Sequence, residues 1–152
     1  MSAGRRVTAR WVRPALLVIA IPQVATGAFA LLAPAAFYAW FPAPGRRWVS
    51  ALGPYNEHLT TDVGAALVAL GVLVAFAAVL LDRLLLQGAL MAWLIFSVAH
   101  LSFHIQATGP FGTADNVANL VTLGLPVAIA VAVLVHTVRR PGSRSGTGAA
   151  GG

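Results

Sequence analysis

The sequence predicts an all-α protein that crosses a membrane as a bundle of four helices. Two features of its composition support this fold class. The chain is 59% hydrophobic and only 9% charged, whereas soluble domains carry about 25% charged residues, and its mean hydropathy is +0.82. The pattern adds a third observation, because four apolar runs approach or exceed the roughly 20 residues that a membrane-spanning helix needs. These runs cover residues 14–32, 61–81, 84–103 and 117–138.

The first predicted helix covers residues 14–40 and follows an Arg-rich N-terminus, residues 1–13. We expect residues 1–12 to be poorly ordered, apart from Trp11, which suits a membrane interface. Pro22 and Gln23 predict a kink with a buried amide, which membrane helices tolerate when neighbours supply hydrogen bonds. The helix ends in the aromatic run 37–41, which is typical of a membrane interface. Its apolar run is longer than that of a cleaved signal peptide, so we expect no cleavage.

The other three helices are predicted at residues 58–81, 84–105 and 115–138. Only Asp82 and Arg83 separate the second helix from the third, so these two form an antiparallel hairpin. Asp115 is a suitable N-cap for the fourth helix. The tail, residues 139–152, is rich in Gly, Ser and Ala after its first arginines and is predicted to be disordered.

The arginine distribution predicts that both termini lie in the cytoplasm. Of the ten basic residues, all of them Arg, only Arg46 and Arg47 fall on the opposite side. The positive-inside rule then gives an N-in, C-in orientation. The bias toward Arg, Ala, Val and Leu indicates a GC-rich bacterial genome and hence a bacterial cytoplasmic membrane. Because the arginines cluster at the ends of apolar runs, the net charge of +6 does not indicate nucleic-acid binding.

The longest loop, residues 42–57, contains a short amphipathic stretch at residues 46–52. Its Arg46-Arg47 pair has two interpretations. Contact with lipid headgroups is favoured, and binding of an anionic substrate is the alternative.

Polar residues at the extracytoplasmic ends of the helices form a candidate site. His58 and Asp62 are spaced i, i+4 on the second helix, and His100 and His104 repeat that spacing on the third. Asp62 lies 20 residues before Asp82 and His104 lies 21 residues after Arg83, so the hairpin places the two pairs at nearly equal height. We therefore expect the pairs to face each other across one pocket.

Three interpretations of this pocket stay open. The first is a metal or redox site in which His58, Asp62, His100 and His104 are ligands, since imidazole and carboxylate suit Zn or Fe. Glu57 or Asp115 would then act as acid or base. Haem is less favoured. It would need His58 to face one histidine of the third helix, because two histidines one turn apart on a single helix cannot be its two axial ligands. The second is a hydrogen-bonded network that only ties helix ends together, and the third is a substrate or proton site without metal.

A different class of function is a non-catalytic accessory or assembly subunit, acting with a membrane partner subunit or as a homo-oligomer. Gly64, Gly71, Ala75 and Ala78 form a stripe of small residues on the second helix, which would be its partner surface. Carrier transport ranks third, below the metal or redox site and the accessory subunit, because four helices without a clear internal repeat are few for a monomeric transporter. The chain contains no cysteine, so thiolate metal sites and disulfides are excluded.

The motif Tyr55-Asn56-Glu57-His58-Leu59-x-x-Asp62-Val63-Gly64, followed by His100-Leu101-x-x-His104 and Asp115-Asn116, resembles a group of small uncharacterised actinobacterial membrane proteins with four helices. The resemblance covers residues 54–120. In size and helix count the chain is also similar to the DoxX-like membrane proteins, in architecture only. Both resemblances imply a membrane protein, and neither implies a catalytic mechanism for these residues.

Overall fold

The computed structural model describes residues 6–139, which form five helices and no β-strand. Four of the five are long and apolar enough to cross a membrane, and α2 is short. The predicted all-α, four-helix bundle is confirmed. The helices are α1 (Val12–Leu32), α2 (Pro34–Trp40), α3 (Glu57–Leu80), α4 (Arg83–Gln106) and α5 (Thr113–Arg139).

The first predicted helix is in fact two helices, because the chain leaves the helical conformation at Ala33 (φ −143°, ψ 61°). Pro34 explains the break: proline has no N–H to donate and disfavours the helical conformation in the residue before it. It then occupies the first turn of α2, where a proline is tolerated. By contrast, α1 continues through Pro22.

The α3–α4 hairpin is built from two local signals. Leu81 ends α3 in the left-handed conformation, with φ 51°, which reverses the chain direction. Asp82 then caps α4, since its Oδ1 atom accepts hydrogen bonds from the backbone N–H groups of Leu84 and Leu85, both at 3.1 Å. At the other end of α3, Asn56 is the N-cap and accepts a hydrogen bond from Leu59 N at 3.0 Å.

Helices α1 and α3 pack through glycines, so closely that their backbones touch. A Cβ atom on Gly64 would lie 2.6 Å from Leu31 N, and one on Gly27 would lie 2.7 Å from Val68 N. Gly71 is equally tight, with Val24 Cγ2 at 2.7 Å. The small-residue stripe therefore packs inside the chain, and the expectation that it is a partner surface was wrong.

The two ends of the described chain lie together at one end of the bundle, here called the terminal end. Val7 N donates a hydrogen bond to Leu81 O at 2.9 Å, and the ring centroids of Trp11 and His136 are 5.2 Å apart. Residues 6–11 are thus held against the α3–α4 turn, contrary to the disorder expected for the N-terminal segment. The predicted disordered tail after Arg139 lies outside the described residues, as do residues 1–5.

The core of the bundle lies in its terminal half. The last buried residue of α4 is Trp93, and α5 has no buried residue between Asn119 and Ala130. Toward the opposite end, here called the distal end, burial is mainly between α1 and α3, with Phe37 of α2 and Asn119 of α5 as further buried residues. The core residues are Val12, Leu16, Ile19, Ala20, Val74, Ala77, Ala78, Leu86, Ala89, Leu90, Trp93, Ala130 and Val133.

Candidate functional site

The distal end contains all six candidate site residues, but they form separate groups rather than one pocket. Helices α3 and α5 begin there, α4 ends there, and the loop of residues 41–56 covers part of it. The α3 group, the α4 group and the α5 group each have different neighbours, and these neighbours decide what each group can do.

The α3 group is solvated. His58 Nε2 lies 3.3 Å from Asp62 Oδ2, and the two side chains are 88% and 61% exposed. Glu57, at the first turn of the same helix, is also exposed. An exposed pair of this kind contributes little to stability because water screens it.

The α4 group is a short ladder of rings. The centroids of His100 and His104 are 4.8 Å apart, with the rings inclined at 71°. His100 stacks on Phe96 at 5.7 Å, and Phe103 meets His104 edge to face at the same distance. The Nδ1 atom of His104 is buried and has no hydrogen-bond partner in the described part of the chain.

The four predicted metal ligands are therefore two pairs, not one site. Within residues 6–139, no group of three His, Asp or Glu side chains is placed to hold a metal ion. The reason is the rotation of α3 about its axis. Its buried face, which includes Gly64 and Leu67, packs on α1, and His58 and Asp62 lie on exposed faces instead of facing α4.

Asp115 accepts the shortest of the side-chain hydrogen bonds described at the distal end. Its Oδ1 atom accepts a hydrogen bond from Arg46 Nη1 at 2.6 Å and one from Trp48 Nε1 at 3.0 Å. The side chain of Asp115 is 26% exposed and that of Arg46 is 54% exposed. This carboxylate, predicted as a catalytic acid or base, thus joins the 41–56 loop to the first turn of α5.

The amides next to Asp115 hold the backbone rather than a ligand. Asn116 Nδ2 donates to the carbonyl oxygens of Thr108 and Phe111 at 3.1 and 3.2 Å. Asn119 is 5% exposed, and its Nδ2 atom donates to the backbone oxygen of Asp115 at 3.1 Å. These bonds fix the α4–α5 connection and the direction in which Asp115 points.

The 41–56 loop folds back over α2 through aromatic contacts. Tyr38 Oη donates a hydrogen bond to Gly53 O at 2.7 Å, and its ring lies 5.1 Å from that of Tyr55. Trp48 N donates to Phe41 O at 3.1 Å. Desolvation, and then the nearby Glu57 carboxylate, raise the pKa of Tyr55 above its ordinary value.

A cavity of about 660 Å³ opens between this loop, α2 and the start of α5. Arg46 is paired with Asp115 on its wall, and Arg47 contributes a second guanidinium. Aromatic rings from Tyr38, Trp48 and Phe111 complete a surface that is both cationic and apolar. This cavity is here called the distal pocket. Its lining residues are Tyr38, Gly45, Arg46, Arg47, Trp48, Ser50, Ala51, Pro110, Phe111, Gly112 and Asp115.

Sequence reasoning found the parts of the distal pocket but not their combination. It identified Arg46-Arg47 as an anion or headgroup contact and Asp115 as a site residue, yet placed them in different features. One signal connects them: the two arginines of the distal end and the acid that opens α5 fall on the same side of the membrane.

The four long apolar helices make this chain a multi-pass membrane protein whose exposed apolar side chains contact lipid. The resemblance to actinobacterial and DoxX-like proteins stays a prediction. No family model matches the chain, and neither the curated proteins nor the solved structures searched include a match to it.

Proposed function

We propose that this protein binds an anionic amphiphile, such as an anionic lipid, in the distal pocket on the extracytoplasmic face of a bacterial cytoplasmic membrane. The observation that carries the proposal is the distal pocket itself, which combines two guanidinium groups with three aromatic rings. In this role Asp115 is a positioning residue that holds Arg46 and Trp48 in place, and no reaction is required of it.

The orientation rests on charge and on the shared position of the two chain ends. The terminal end carries five described arginines, whereas the distal end carries only Arg46 and Arg47. Arg5, Arg140 and Arg144 lie outside the described residues, in the sequence segments before Arg6 and after Arg139. The positive-inside rule favours a cytoplasmic terminal end and an extracytoplasmic pocket. The five described arginines are Arg6, Arg10, Arg13, Arg83 and Arg139.

The charge of the distal pocket favours an anion. Asp115 neutralises Arg46, with which it forms an ion pair of 2.6 Å. The second guanidinium, on Arg47, has no carboxylate within salt-bridge distance in the described structure. A guanidinium binds phosphate or carboxylate through paired hydrogen bonds that are stronger than neutral ones.

The aromatic lining favours a ligand that also has an apolar part. Tyr and Trp rings place an apolar body at headgroup depth and turn a polar edge toward water. Tyr38 and Trp48 have their polar atoms satisfied by Gly53 and Asp115, and the parts of these rings that line the pocket, away from Tyr55 and Phe41, offer apolar contact. An anionic headgroup with a glycerol or acyl portion matches both features.

Replacing Arg47 with Gln should weaken binding of dioctanoyl phosphatidylglycerol at least about tenfold. A hydrogen bond to a charged group contributes about 1.5–3 kcal/mol, and about 1.4 kcal/mol corresponds to a factor of ten in affinity. Isothermal titration calorimetry on the full chain in a non-ionic detergent measures this change.

The matched control is Arg10→Gln, which removes an exposed arginine from the terminal end. It should leave the affinity unchanged, and zwitterionic dioctanoyl phosphatidylcholine should bind weakly to all three proteins. Glycerol 3-phosphate tests the apolar contribution and should bind less tightly than the lipid. Equal losses in Arg47→Gln and Arg10→Gln would show that the arginines act only through overall charge and would refute a specific pocket.

A further inference from the structure

The His100–His104 pair lies outside the distal pocket and has no role in the proposed binding of an anionic amphiphile. The pair sits on the part of α4 that follows the last buried residue, Trp93. His100 is exposed and His104 is partly buried. Polar groups at membrane depth are expensive and usually face protein or a water-filled cavity, so two imidazoles on a helix surface call for an explanation.

The spacing of the rings suits a shared metal ion. Zn–N distances of about 2.0–2.1 Å and tetrahedral angles place the centroids of two ligating imidazoles roughly 5 Å apart. The observed separation is 4.8 Å. Because His104 Nδ1 is buried, the ligand atom of this residue is its Nε2.

One chain supplies only half of such a site. A structural zinc ion takes four ligands, and no third His, Asp or Glu joins the pair within the part of the chain that the structure describes. His100 lies six residues before Gln106, the last residue of α4, which corresponds to a depth of about 9 Å. The two coordination positions that the pair leaves open are available to ligands from another protein surface.

We propose that a second copy of this chain completes the site, so that His100 and His104 from each copy bind one Zn²⁺ or a similar divalent transition metal. Two copies related by a two-fold axis present the same surface to each other, which turns two ligands into four. Neutral imidazoles suit zinc and its neighbours better than magnesium or calcium. The metal then stabilises a dimer whose interface is the distal half of α4, which contains His100 and His104.

Zinc titration of the purified full chain in detergent tests this proposal, with calorimetry for stoichiometry and native mass spectrometry for oligomeric state. The expected result is one Zn²⁺ per two chains, a dimer in zinc and a monomer after EDTA. His100→Ala and His104→Ala should each lose the dimer and weaken zinc binding at least about tenfold. His58→Ala should behave like the unaltered protein, because this exposed residue lies on α3.

Three results would overturn the proposal: no zinc binding, one Zn²⁺ per monomeric chain, or a zinc-dependent dimer that persists in His100→Ala. A thermal unfolding curve of each variant without zinc separates loss of ligands from loss of fold, and His100→Ala, which removes an exposed imidazole, should leave that curve unchanged. Zinc stoichiometry and oligomeric state are measured independently of lipid binding. A negative result in these experiments would therefore not contradict the proposed binding of an anionic amphiphile in the distal pocket.

Discussion

Replacing Gly64 with Ala should destabilise the protein by about 3 kcal/mol or more, at or above the upper end of the usual cost of overpacking a tight core. The added Cβ atom would lie 2.6 Å from Leu31 N and 3.0 Å from Ala30 C. Both are backbone atoms, so no side chain can rotate away and the two helices must separate. The separation also weakens the neighbouring contacts of Gly27 and Gly71.

Gly88→Ala on α4 and Gly124→Ala on α5 are matched controls. A Cβ atom at either position meets nothing within 4 Å. Alanine in place of a helical glycine stabilises a helix by roughly 0.5–1 kcal/mol, so these two variants should be neutral or slightly more stable. Unfolding in mixed micelles with increasing SDS, followed by circular dichroism, measures all three. A Gly64→Ala variant as stable as the controls would contradict the backbone contact between α1 and α3.

Replacing Asp115 with Ala should have the second largest effect on stability, about 1–3 kcal/mol, and should loosen the 41–56 loop. Trp48 Nε1 loses its acceptor, and an unsatisfied donor in a partly buried position costs that much. The ion pair contributes less, under about 1 kcal/mol, because Arg46 is 54% exposed and water screens the charges.

Comparison with Arg46→Ala separates the two contributions. That variant removes the ion pair but leaves Trp48 bonded to Asp115, so it should cost less than Asp115→Ala. Hydrogen exchange then locates the effect: amides in the 41–56 loop, such as that of Trp48, should exchange faster in Asp115→Ala than in Arg46→Ala. Equal exchange in both variants would mean that the indole hydrogen bond does not hold the loop.

The membrane helices could be predicted from sequence because lipid imposes one simple requirement, a long apolar run. The break at Ala33 was missed, because residues 14–40 were predicted as one helix, although Pro34 was a signal in the sequence that could have revealed it. The sequence did not indicate which helix packs against the stripe of small residues on α3. Small residues indicate a close neighbour without identifying it, and here the neighbour is α1 instead of another chain.

The candidate site was predicted at the correct end but with the wrong grouping. Equal height along a hairpin does not determine which way each helix face points. With about 100° per residue, Asp62 lies roughly 200° around α3 from Gly64, whose face is buried against α1. The contact between Arg46 and Asp115 joins residues 69 apart, and only the packing of α2, the loop and α5 brings them together.

The rate at which a single cysteine at position 50 is labelled tests the central claim, an extracytoplasmic pocket for an anionic amphiphile. The chain has no native cysteine, and Ser50 lines the distal pocket. In intact cells, Ser50→Cys should react with a membrane-impermeant maleimide. In detergent, dioctanoyl phosphatidylglycerol should slow that reaction while dioctanoyl phosphatidylcholine does not, and adding Arg47→Gln should abolish the protection. Labelling only after the cells are permeabilised, or equal protection by both lipids, would contradict the account.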